Sequence, residues 1–258
     1  MDEKRTSPAY KIIKGLVKLF YPKIEVVGAE NLPDEPSIIV GNHSKMNGPI
    51  ACELYFPGSR YIWCAGEMMH REEVADYAYN DFWSDKPRWS RWFWRALSHI
   101  IAPLSVCVFN NAGPVPVYHD SRLLTTFRTS MKLLDEGGSM IIFPEQDIPH
   151  NNIVYEFQDK FVDLARMYFK KTGRALSFVP MYLAPKLKKM YIGKPIAFDP
   201  SANIKTERGR ICQVLMDAIT ELAAALPRHR VVPYPNMPKR EYPYSLPIEV
   251  KDNEKTCG

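Results

Sequence analysis

Residues 37–49 read SIIVGNHSKMNGP. The opening apolar, β-branched residues predict a buried strand over 37–41, and the apolar run IACELYF that follows Pro49 predicts a helix directly afterwards. His43 therefore stands where a strand gives way to a helix. A histidine at such a place either belongs to a functional site or is an ordinary polar residue of a turn, and the remainder of the chain has to decide between the two.

Strand and helix patterns alternate on both sides of this stretch. The predicted strands are 25–28, 37–41, 60–64, 104–109, 139–143, 176–182 and 190–193, and the predicted helices are 49–55, 71–79, 122–134, 157–170 and 207–226. Interposed helices imply crossover connections, so we predict one α/β domain with a mixed, largely parallel sheet flanked by helices. We expect an amphipathic helix within 1–22, this domain over 23–227, and a proline-rich, extended and partly disordered tail over 228–258.

Composition places the chain among ordinary globular proteins. It has 258 residues, of which 46% are hydrophobic, and a net charge of only +5, so as a whole it lies outside the compositional range of disordered proteins. Its five cysteines are scattered, with no Cys-x-x-Cys pair and no histidines at zinc spacing, which indicates reduced thiols and no metal site. The N-terminal residues MDEKRTSPAYKII lack the apolar core of a secretory signal, so we expect a cytoplasmic protein.

Two segments favour contact with a membrane surface. Residues 8–20, PAYKIIKGLVKLF, place apolar side chains on one helical face and three lysines elsewhere, although a helix packed on a protein core gives the same pattern. Residues 88–95, RWSRWFWR, interleave tryptophan with arginine, as interfacial segments do. Nucleic-acid binding uses the same residue types but is not predicted, because no recognition motif accompanies them. The most apolar stretch, 96–118, is broken by prolines and polar residues, so we predict no transmembrane span and a peripheral position on the inner face.

Four short blocks occur in order along the chain. They are Asn42-His43 at the end of GAENLPDEPSIIVGNH, then GPVPVYHDSR at 113–122, MIIFPEQD at 140–147 and FVPMYLAP at 178–185. In order and spacing they resemble the glycerolipid acyltransferase family typified by bacterial 1-acylglycerol-3-phosphate acyltransferase, over residues 10 to 230. The resemblance implies a glycerol-3-phosphate acyltransferase-like fold. It also implies transfer of a fatty acyl group from acyl-CoA or acyl carrier protein to a hydroxyl of a glycerolipid or related polar acceptor.

The same resemblance assigns roles to individual residues. His43 would be a general base that takes the proton of the acceptor hydroxyl as it attacks the thioester, with no metal and no bound cofactor. Asn42, Ser44, Arg122 and Glu145 would contact the acceptor, with Arg122 a candidate phosphate ligand. Two of these residues also have simpler interpretations, because Ser44 suits a helix N-cap and Glu145 suits the end of a strand.

The sequence departs from the family pattern beside the histidine. The family has an aspartate five residues after its histidine, where Gly48 stands here, and a one-residue deletion brings Asn47 to that place. An amide orients an imidazole but supplies no charge, so Asn47→Asp is expected to match or raise activity, unless Asp147 or, second, Asp120 already supplies the carboxylate.

A second departure concerns the acceptor. Gln146, Asp147 and Ile148 stand where the family has Gly-Thr-Arg, so the phosphate-clamping arginine is missing. A neutral acceptor is therefore favoured over lysophosphatidate, unless the positive charge comes from Arg122 or from one of the lysines Lys186, Lys188 and Lys189. Three functions remain open: a membrane-peripheral acyltransferase, a catalytically impaired relative that binds lipid or acyl chains, and a hydrolase that uses water in place of the acceptor.

Overall fold

The computed structural model describes residues 7–83, 86–118, 120, 122–150, 152–235 and 237–247. Eight strands form one sheet in the order β1-β7-β6-β2-β5-β3-β4, with β8 paired to β6. The strands are β1 Glu25–Val27, β2 Ser37–Gly41, β3 Arg60–Ala65, β4 Val115–Val117, β5 Ser139–Ile142, β6 Ser177–Ala184, β7 Lys189–Ile192 and β8 Ile196–Ala197. Five of the seven strand pairings are parallel, and only those of β6 with β7 and β8 are antiparallel. The predicted α/β domain with a mixed, largely parallel sheet is confirmed.

The described parts of the chain contain seven α-helices. They are α1 Pro8–Phe20, α2 Asn47–Tyr55, α3 Val74–Trp83, α4 Arg91–Ala112, α5 Leu123–Asp135, α6 Asp163–Thr172 and α7 Ile204–Ala224. The strand predicted at 104–109 is wrong, because these residues form the second half of α4. Their apolar, β-branched side chains look like a strand, but no turn residue separates them from the preceding helix, which runs on through Pro103 and ends at Gly113 with φ 70°. The short strands β4 and β8 were not predicted.

The apolar run of strand β2 is unbroken because both faces of the strand are buried. Ile38 and Val40 face a core formed with α5, α6 and α7, whereas Ile39 faces a second core that contains Ala51 and Cys52 of α2. All five residues of the strand are buried. A parallel strand covered by helices on both faces needs apolar side chains on both, so the alternation typical of a half-exposed strand is absent.

The carboxyl ends of the parallel strands place the sequence blocks together. β2 pairs with β5 in parallel, with Val40 opposite Ile142, so the residues that follow the two strands leave the sheet at the same edge. The chain after β2 carries His43 and the chain after β5 carries Glu145. β3 and β4 continue this edge, and open α/β sheets bind ligands outside the carboxyl ends of their strands.

Helices α1 and α4 pack against each other and leave large apolar side chains in solvent. On α1, Leu19 and Phe20 are 74% and 83% exposed, and beside the start of α4, Trp89 and Trp92 are 81% and 74% exposed. Residues Arg88–Ala112 form a helix that, by length and composition alone, could cross a membrane, and only 11% of its most apolar window is buried. That the chain has no transmembrane span therefore stays a prediction.

The proline-rich segment after α7 does not extend into solvent over the residues that the structure describes. The backbone N–H of Val231 donates to Pro243 O at 2.9 Å, and that of Ser245 donates to His229 O at 2.9 Å. Residues 228–235 and 237–247 thus form a hairpin, called here the C-terminal hairpin, which packs on the domain through the buried His229 and Val231. The expectation of a separate extended tail is corrected for this part, and 248–258 lie outside the described residues.

Candidate active site

His43 is held by contacts to its ring and to its backbone. The backbone N–H of His43 donates to Oε2 of Glu145, and ring atom Nδ1 contacts the carbonyl oxygen of Lys45. The ring of Phe143 lies edge-on with its centroid 5.2 Å away, and the ring of Tyr234 lies tilted at 4.5 Å. The histidine is therefore fixed in position on the carboxyl side of β2.

These contacts define the protonation state of the imidazole. A carbonyl oxygen only accepts hydrogen bonds, so Nδ1 carries the proton of the neutral ring and Nε2 carries the lone pair. Burial lowers the pKa of His43 to about 4, although the hydrogen bond to Lys45 opposes the shift. The imidazole is consequently neutral at physiological pH, with a basic nitrogen available at Nε2.

Glu145 is a buried carboxylate, 3% exposed, at the end of β5. Burial raises its pKa to about 7, while the hydrogen bond from the His43 N–H opposes this shift. Its carboxyl group holds the backbone of His43 and also lines a cavity beside the ring. The structure thus connects Glu145 to His43, which the sequence pattern placed only in separate blocks.

Asn42 has a structural use that its predicted acceptor role does not include. Its Nδ2 donates to Leu183 O at 3.0 Å, and its Oδ1 accepts from Leu183 N at 2.7 Å. Both polar ends of this side chain, which is 1% exposed, are occupied by the backbone of β6. Asn42 therefore ties the end of β2 to β6, and the acceptor-binding assignment is corrected.

Asn47 makes no hydrogen bond to the imidazole. Its Nδ2 donates to Ser44 O at 2.9 Å and its Oδ1 accepts from the Tyr21 hydroxyl at 3.3 Å, whereas the Nδ1 position of His43 belongs to Lys45 O. The reason is the turn between them, in which Ser44 and Lys45 both adopt positive φ, 49° and 54°. Because α2 begins only at Asn47, the separation of four residues does not put His43 and Asn47 on one face of a helix.

Ser44 is fully buried, and its hydroxyl has no hydrogen-bond partner among the described residues. It is not a helix N-cap, since α2 is preceded by Met46 and has no side-chain cap. At 0% exposure Ser44 is also out of reach of a bound acceptor in this conformation.

Asp147 and Arg122 lie on different sides of the site. Asp147 is exposed and lines a cavity with His43. Its role as the carboxylate partner of the imidazole stays a prediction. Arg122 is held by Asp120, with Nη2 2.8 Å from Oδ2, and its guanidinium lies 3.9 Å from the Tyr118 ring centroid. Arg122 lines neither cavity beside His43, and Asp120 is engaged by Arg122.

Two cavities meet at His43. The Lys160 cavity, of about 390 Å³, includes Glu145, Lys160 and Tyr118 in its walls. The Asp147 cavity, of about 290 Å³, includes Lys45 and Asp147. Residues shared by both walls are His43, Trp63, Cys64, Ala65, Tyr77 and Tyr234. The imidazole thus stands between two spaces that can each hold part of a substrate.

A third space, the α1 groove, joins this pair from the side of the exposed helices. It has a volume of about 230 Å³ and lies between α1, α2, β3 and α4. Its walls are mostly apolar, with a polar cluster in which Lys14 Nζ lies 2.5 Å from Glu53 Oε1. Residues common to the groove and the Asp147 cavity are Met46, Pro49, Cys64 and Phe109. These four shared side chains form an apolar path between the groove and the Asp147 cavity, which His43 lines.

Sequence reasoning missed Tyr234 and Lys160 as members of the site. Both lie outside the four blocks, in a proline-rich segment and at the start of a short 3₁₀ turn, and neither carries a local pattern that marks function. Among the described residues, no group of three His, Cys, Asp or Glu side chains could hold a metal ion.

No protein-family model matches this chain, and no curated protein matches it significantly. Among solved structures, the chain is similar to PlsC, the 1-acyl-sn-glycerophosphate acyltransferase of Thermotoga maritima, with 20% sequence identity over 84% of this chain and 81% of that chain. The TM-score is 0.49, and a similarity of that size assigns no reaction to this chain.

Proposed function

We propose that this protein is an acyltransferase that moves a fatty acyl group from acyl-CoA or acyl carrier protein to a hydroxyl of a glycerolipid or related polar acceptor. The observation that carries the proposal is the position of His43. Its unprotonated Nε2 belongs to a ring between two cavities, one of which shares wall residues with an apolar groove. A transfer reaction needs two substrates to meet at one base, and a hydrolase would need only one.

In the proposed reaction, Nε2 of His43 takes the proton of the acceptor hydroxyl while the hydroxyl oxygen attacks the thioester carbonyl carbon. The tetrahedral intermediate then loses its carbon–sulfur bond, and the leaving thiolate takes the proton back from the imidazolium. The Lys45 carbonyl holds the Nδ1 proton and fixes the ring in the required tautomer. Asp147, from the wall of the Asp147 cavity, is our proposed source of negative charge for the imidazolium.

The apolar path supports an acyl donor with a long chain. The α1 groove offers mostly apolar walls next to the exposed side chains of α1 and α4, so a chain can lie in the groove with its thioester at His43. The Lys160 cavity, with Lys160, Asp159 and Glu145 in its walls, suits a polar acceptor. Because Arg122 is paired with Asp120 and Glu73, a neutral, hydroxyl-rich acceptor is proposed over a phosphate-bearing one.

We propose a peripheral position on the inner face of the membrane, and the exposed apolar side chains support contact with a bilayer. Leu19, Phe20, Trp89 and Trp92 lie on the two helices that border the groove, beside basic residues such as Lys11 and Lys18. Tryptophan and basic residues favour the interface of an anionic bilayer. A lipid acceptor or product would then enter and leave from the membrane side.

The test is an incubation of the purified protein with labelled acyl-CoA or acyl carrier protein thioester and a panel of acceptors that includes lysophosphatidate and neutral hydroxyl lipids. We expect transfer to a neutral acceptor. In His43→Gln the rate of transfer should fall by about 10²- to 10⁴-fold. A cooperative thermal unfolding transition in the variant serves as the control that it folds. Release of free fatty acid without acceptor consumption would indicate a hydrolase instead.

The second candidate function is a catalytically impaired relative that binds lipid or acyl chains. It is favoured by the contact of His43 Nδ1 with a backbone carbonyl in place of a carboxylate, because the carbonyl supplies no full charge to the imidazolium. Saturable binding of an acyl chain with no transfer to any acceptor would decide for this function.

A further inference from the structure

The C-terminal hairpin is built to hold one position. Within it, backbone hydrogen bonds join Val231 to Pro243 and Ser245 to His229, each at 2.9 Å. An isolated antiparallel bridge also pairs Arg230 with Tyr244. A chain with this many internal bonds is not an open tail.

The hairpin is fastened to the sheet through a buried histidine. The Tyr182 hydroxyl of β6 donates to His229 Nε2 at 2.8 Å, and His229 Nδ1 donates to Pro227 O at 2.8 Å. Tyr182 is 1% exposed and His229 is 6% exposed. Val231, also 1% exposed, belongs to the same core as β2 and α7. The attachment therefore rests on buried groups, as expected of a fixed wall and not of a lid.

From this anchor the hairpin reaches the candidate base. The Tyr234 ring centroid is 4.5 Å from that of His43, with the planes at 39°. Lys45, whose carbonyl meets His43 Nδ1, places its Nζ 5.7 Å from the ring of Tyr242 in the same hairpin. Tyr234 lines both the Lys160 cavity and the Asp147 cavity. The partition between the two substrate spaces is thus supplied in part by a segment outside the sheet.

We propose that the C-terminal hairpin is a fixed wall of the active site and that Tyr234 is a specificity-determining residue, which sets where an acceptor hydroxyl lies relative to Nε2 of His43. The role toward an acceptor rests on the proposed acyl transfer, whereas the wall itself does not. The ring of Tyr234 covers the imidazole and limits how the acceptor enters between the two cavities, so it selects among the hydroxyls of one acceptor as well as among acceptors.

The first part of the test follows His43 itself and needs no substrate. The variants are Tyr234→Ala and Tyr234→Phe, and the control is Tyr191→Ala, which removes a half-buried tyrosine of β7 that lines neither cavity. Nuclear magnetic resonance titration of His43, identified by the signal lost in His43→Gln, reports its pKa. Rates of carbethoxylation by diethyl pyrocarbonate, read by mass spectrometry at His43, report its accessibility. The other polar groups around the ring, those of Glu145, Lys45 and Asp147, are the same in every variant.

We expect Tyr234→Ala to move the pKa of His43 from about 4 towards 6.5 and to raise its carbethoxylation rate several-fold, because water reaches the uncovered ring. Tyr234→Phe keeps the ring and should leave both values unchanged, as should Tyr191→Ala. An unchanged titration and labelling rate in a folded Tyr234→Ala protein would show that the hairpin does not cover His43 in solution, and would overturn the proposal.

The second part follows the acceptor. In Tyr234→Ala we expect the KM for the acceptor to rise about tenfold and the acylated hydroxyl of a polyol acceptor to become mixed. The KM for acyl-CoA should change less, because Tyr234 does not line the α1 groove that holds the acyl chain. An altered His43 titration with an unaltered acceptor KM and product position would overturn the specificity role and leave the wall. If the parent protein transfers no acyl group, the proposed function fails and the acceptor role with it, yet the titration still decides on the wall.

Discussion

Asn42 and His43 are neighbours in the chain, but the structure gives them unrelated tasks. His43 faces the cavities, whereas Asn42 satisfies both the N–H and the C=O of Leu183 inside the protein. The pair illustrates why a short motif does not by itself assign both of its residues to one site. A histidine and an asparagine that follow a buried strand leave it on different sides, so one serves the site and the other serves the sheet.

For Asn42 we predict a loss of stability. Asn42→Ala removes two hydrogen bonds and leaves two buried backbone groups of Leu183 unsatisfied, so the free energy of unfolding should fall by about 2 to 4 kcal/mol. Urea unfolding measures this. The control is Asn31→Ala, which removes a single bond to Ile192 O from a half-buried side chain and should lower it by about 1 kcal/mol. Equal losses in both variants would contradict the assignment.

For Asn47 the structure reverses what the sequence pattern predicts. Asn47→Asp replaces the Nδ2 donor to Ser44 O with a carboxylate oxygen, which repels that carbonyl. We expect the free energy of unfolding to fall by about 1 to 3 kcal/mol and kcat/KM to show no gain, because Asn47 makes no hydrogen bond to the imidazole. Thermal unfolding and initial rates measure both, with Asn47→Ala as the control. A faster Asn47→Asp enzyme would restore the role that the family resemblance implies for residue 47.

His43 and Glu145 have opposite effects on stability as the pH changes. The folded pKa of His43, about 4, lies below 6.5, so the unfolded chain binds the extra proton between these values and stability rises with pH. The folded pKa of Glu145, about 7, lies above 4.5, so the folded chain binds the extra proton there and stability falls as pH rises. The two slopes nearly cancel where the windows overlap.

Single variants should therefore reveal each slope. In Glu145→Gln we expect the free energy of unfolding to increase between pH 4 and 6.5, relative to the parent protein, by on the order of 3 kcal/mol. In His43→Gln it should decrease between pH 4.5 and 7 by a similar amount. Urea unfolding at several pH values measures both. Parallel pH profiles of the parent and both variants would show that neither group is perturbed in the folded protein.

Among the elements, α1 and α4 present the largest exposed apolar side chains on the described surface. We predict that the protein sediments with anionic vesicles at low salt and is released as the salt concentration rises. Lysines and arginines provide part of the attraction to the anionic surface, and salt screens it. The double variant Leu19→Ser with Phe20→Ser should weaken binding to vesicles about tenfold or more at any salt concentration, because it removes apolar area that the bilayer would bury.

Two controls separate this surface from general stickiness. Lys11→Ala with Lys18→Ala should reduce only the salt-sensitive part of the binding. Leu124→Ser changes an exposed leucine on α5, 62% exposed, and should leave vesicle binding as it is. If Leu124→Ser weakens binding as strongly as the α1 double variant, the interface has been assigned to the wrong helices.

α4 and the C-terminal hairpin show where element prediction from sequence fails. Residues 104–109 have strand-forming side chains, and only the absence of a turn before them keeps the helix going to Gly113. The hairpin contains prolines that look like an open chain, but its stability comes from contacts to distant groups such as Tyr182. Neither effect is recorded in local residue patterns, whereas the buried strands β2, β5 and β6 are.

For the molecule as a whole, the order of strand and helix patterns along the chain predicts the sheet and the part of the site at the carboxyl ends of its strands. The apolar strands and their crossovers brought His43 and Glu145 together, as parallel neighbours must. The partners of His43 could not be predicted, because they depend on two residues with positive φ, Ser44 and Lys45, and on a return of the chain that places Tyr234 on the imidazole. Spacing in sequence carries no information about either.

The three connected spaces lead to a prediction about acyl chain length. Ala112 lines the α1 groove at the end of α4, so Ala112→Phe should fill part of it and shorten the longest acyl chain that is transferred efficiently. Competition between acyl-CoA molecules of different length measures the shift. Ala96→Phe, on an exposed face of the same helix, should leave the chain preference unchanged. A shift in neither variant would exclude the groove as the acyl site.

The order of the strands also has a kinetic consequence. β2 is made early, yet its neighbours are β5 and β6, so Ile38 finds Met140 on one side and Phe178 on the other only after most of the chain exists. Pairing over such separations makes folding slow, and an apolar strand without neighbours tends to associate with other chains. We therefore expect a ribosome-bound chain that stops before β6 to aggregate when released, and to need a chaperone until the centre of the sheet can close.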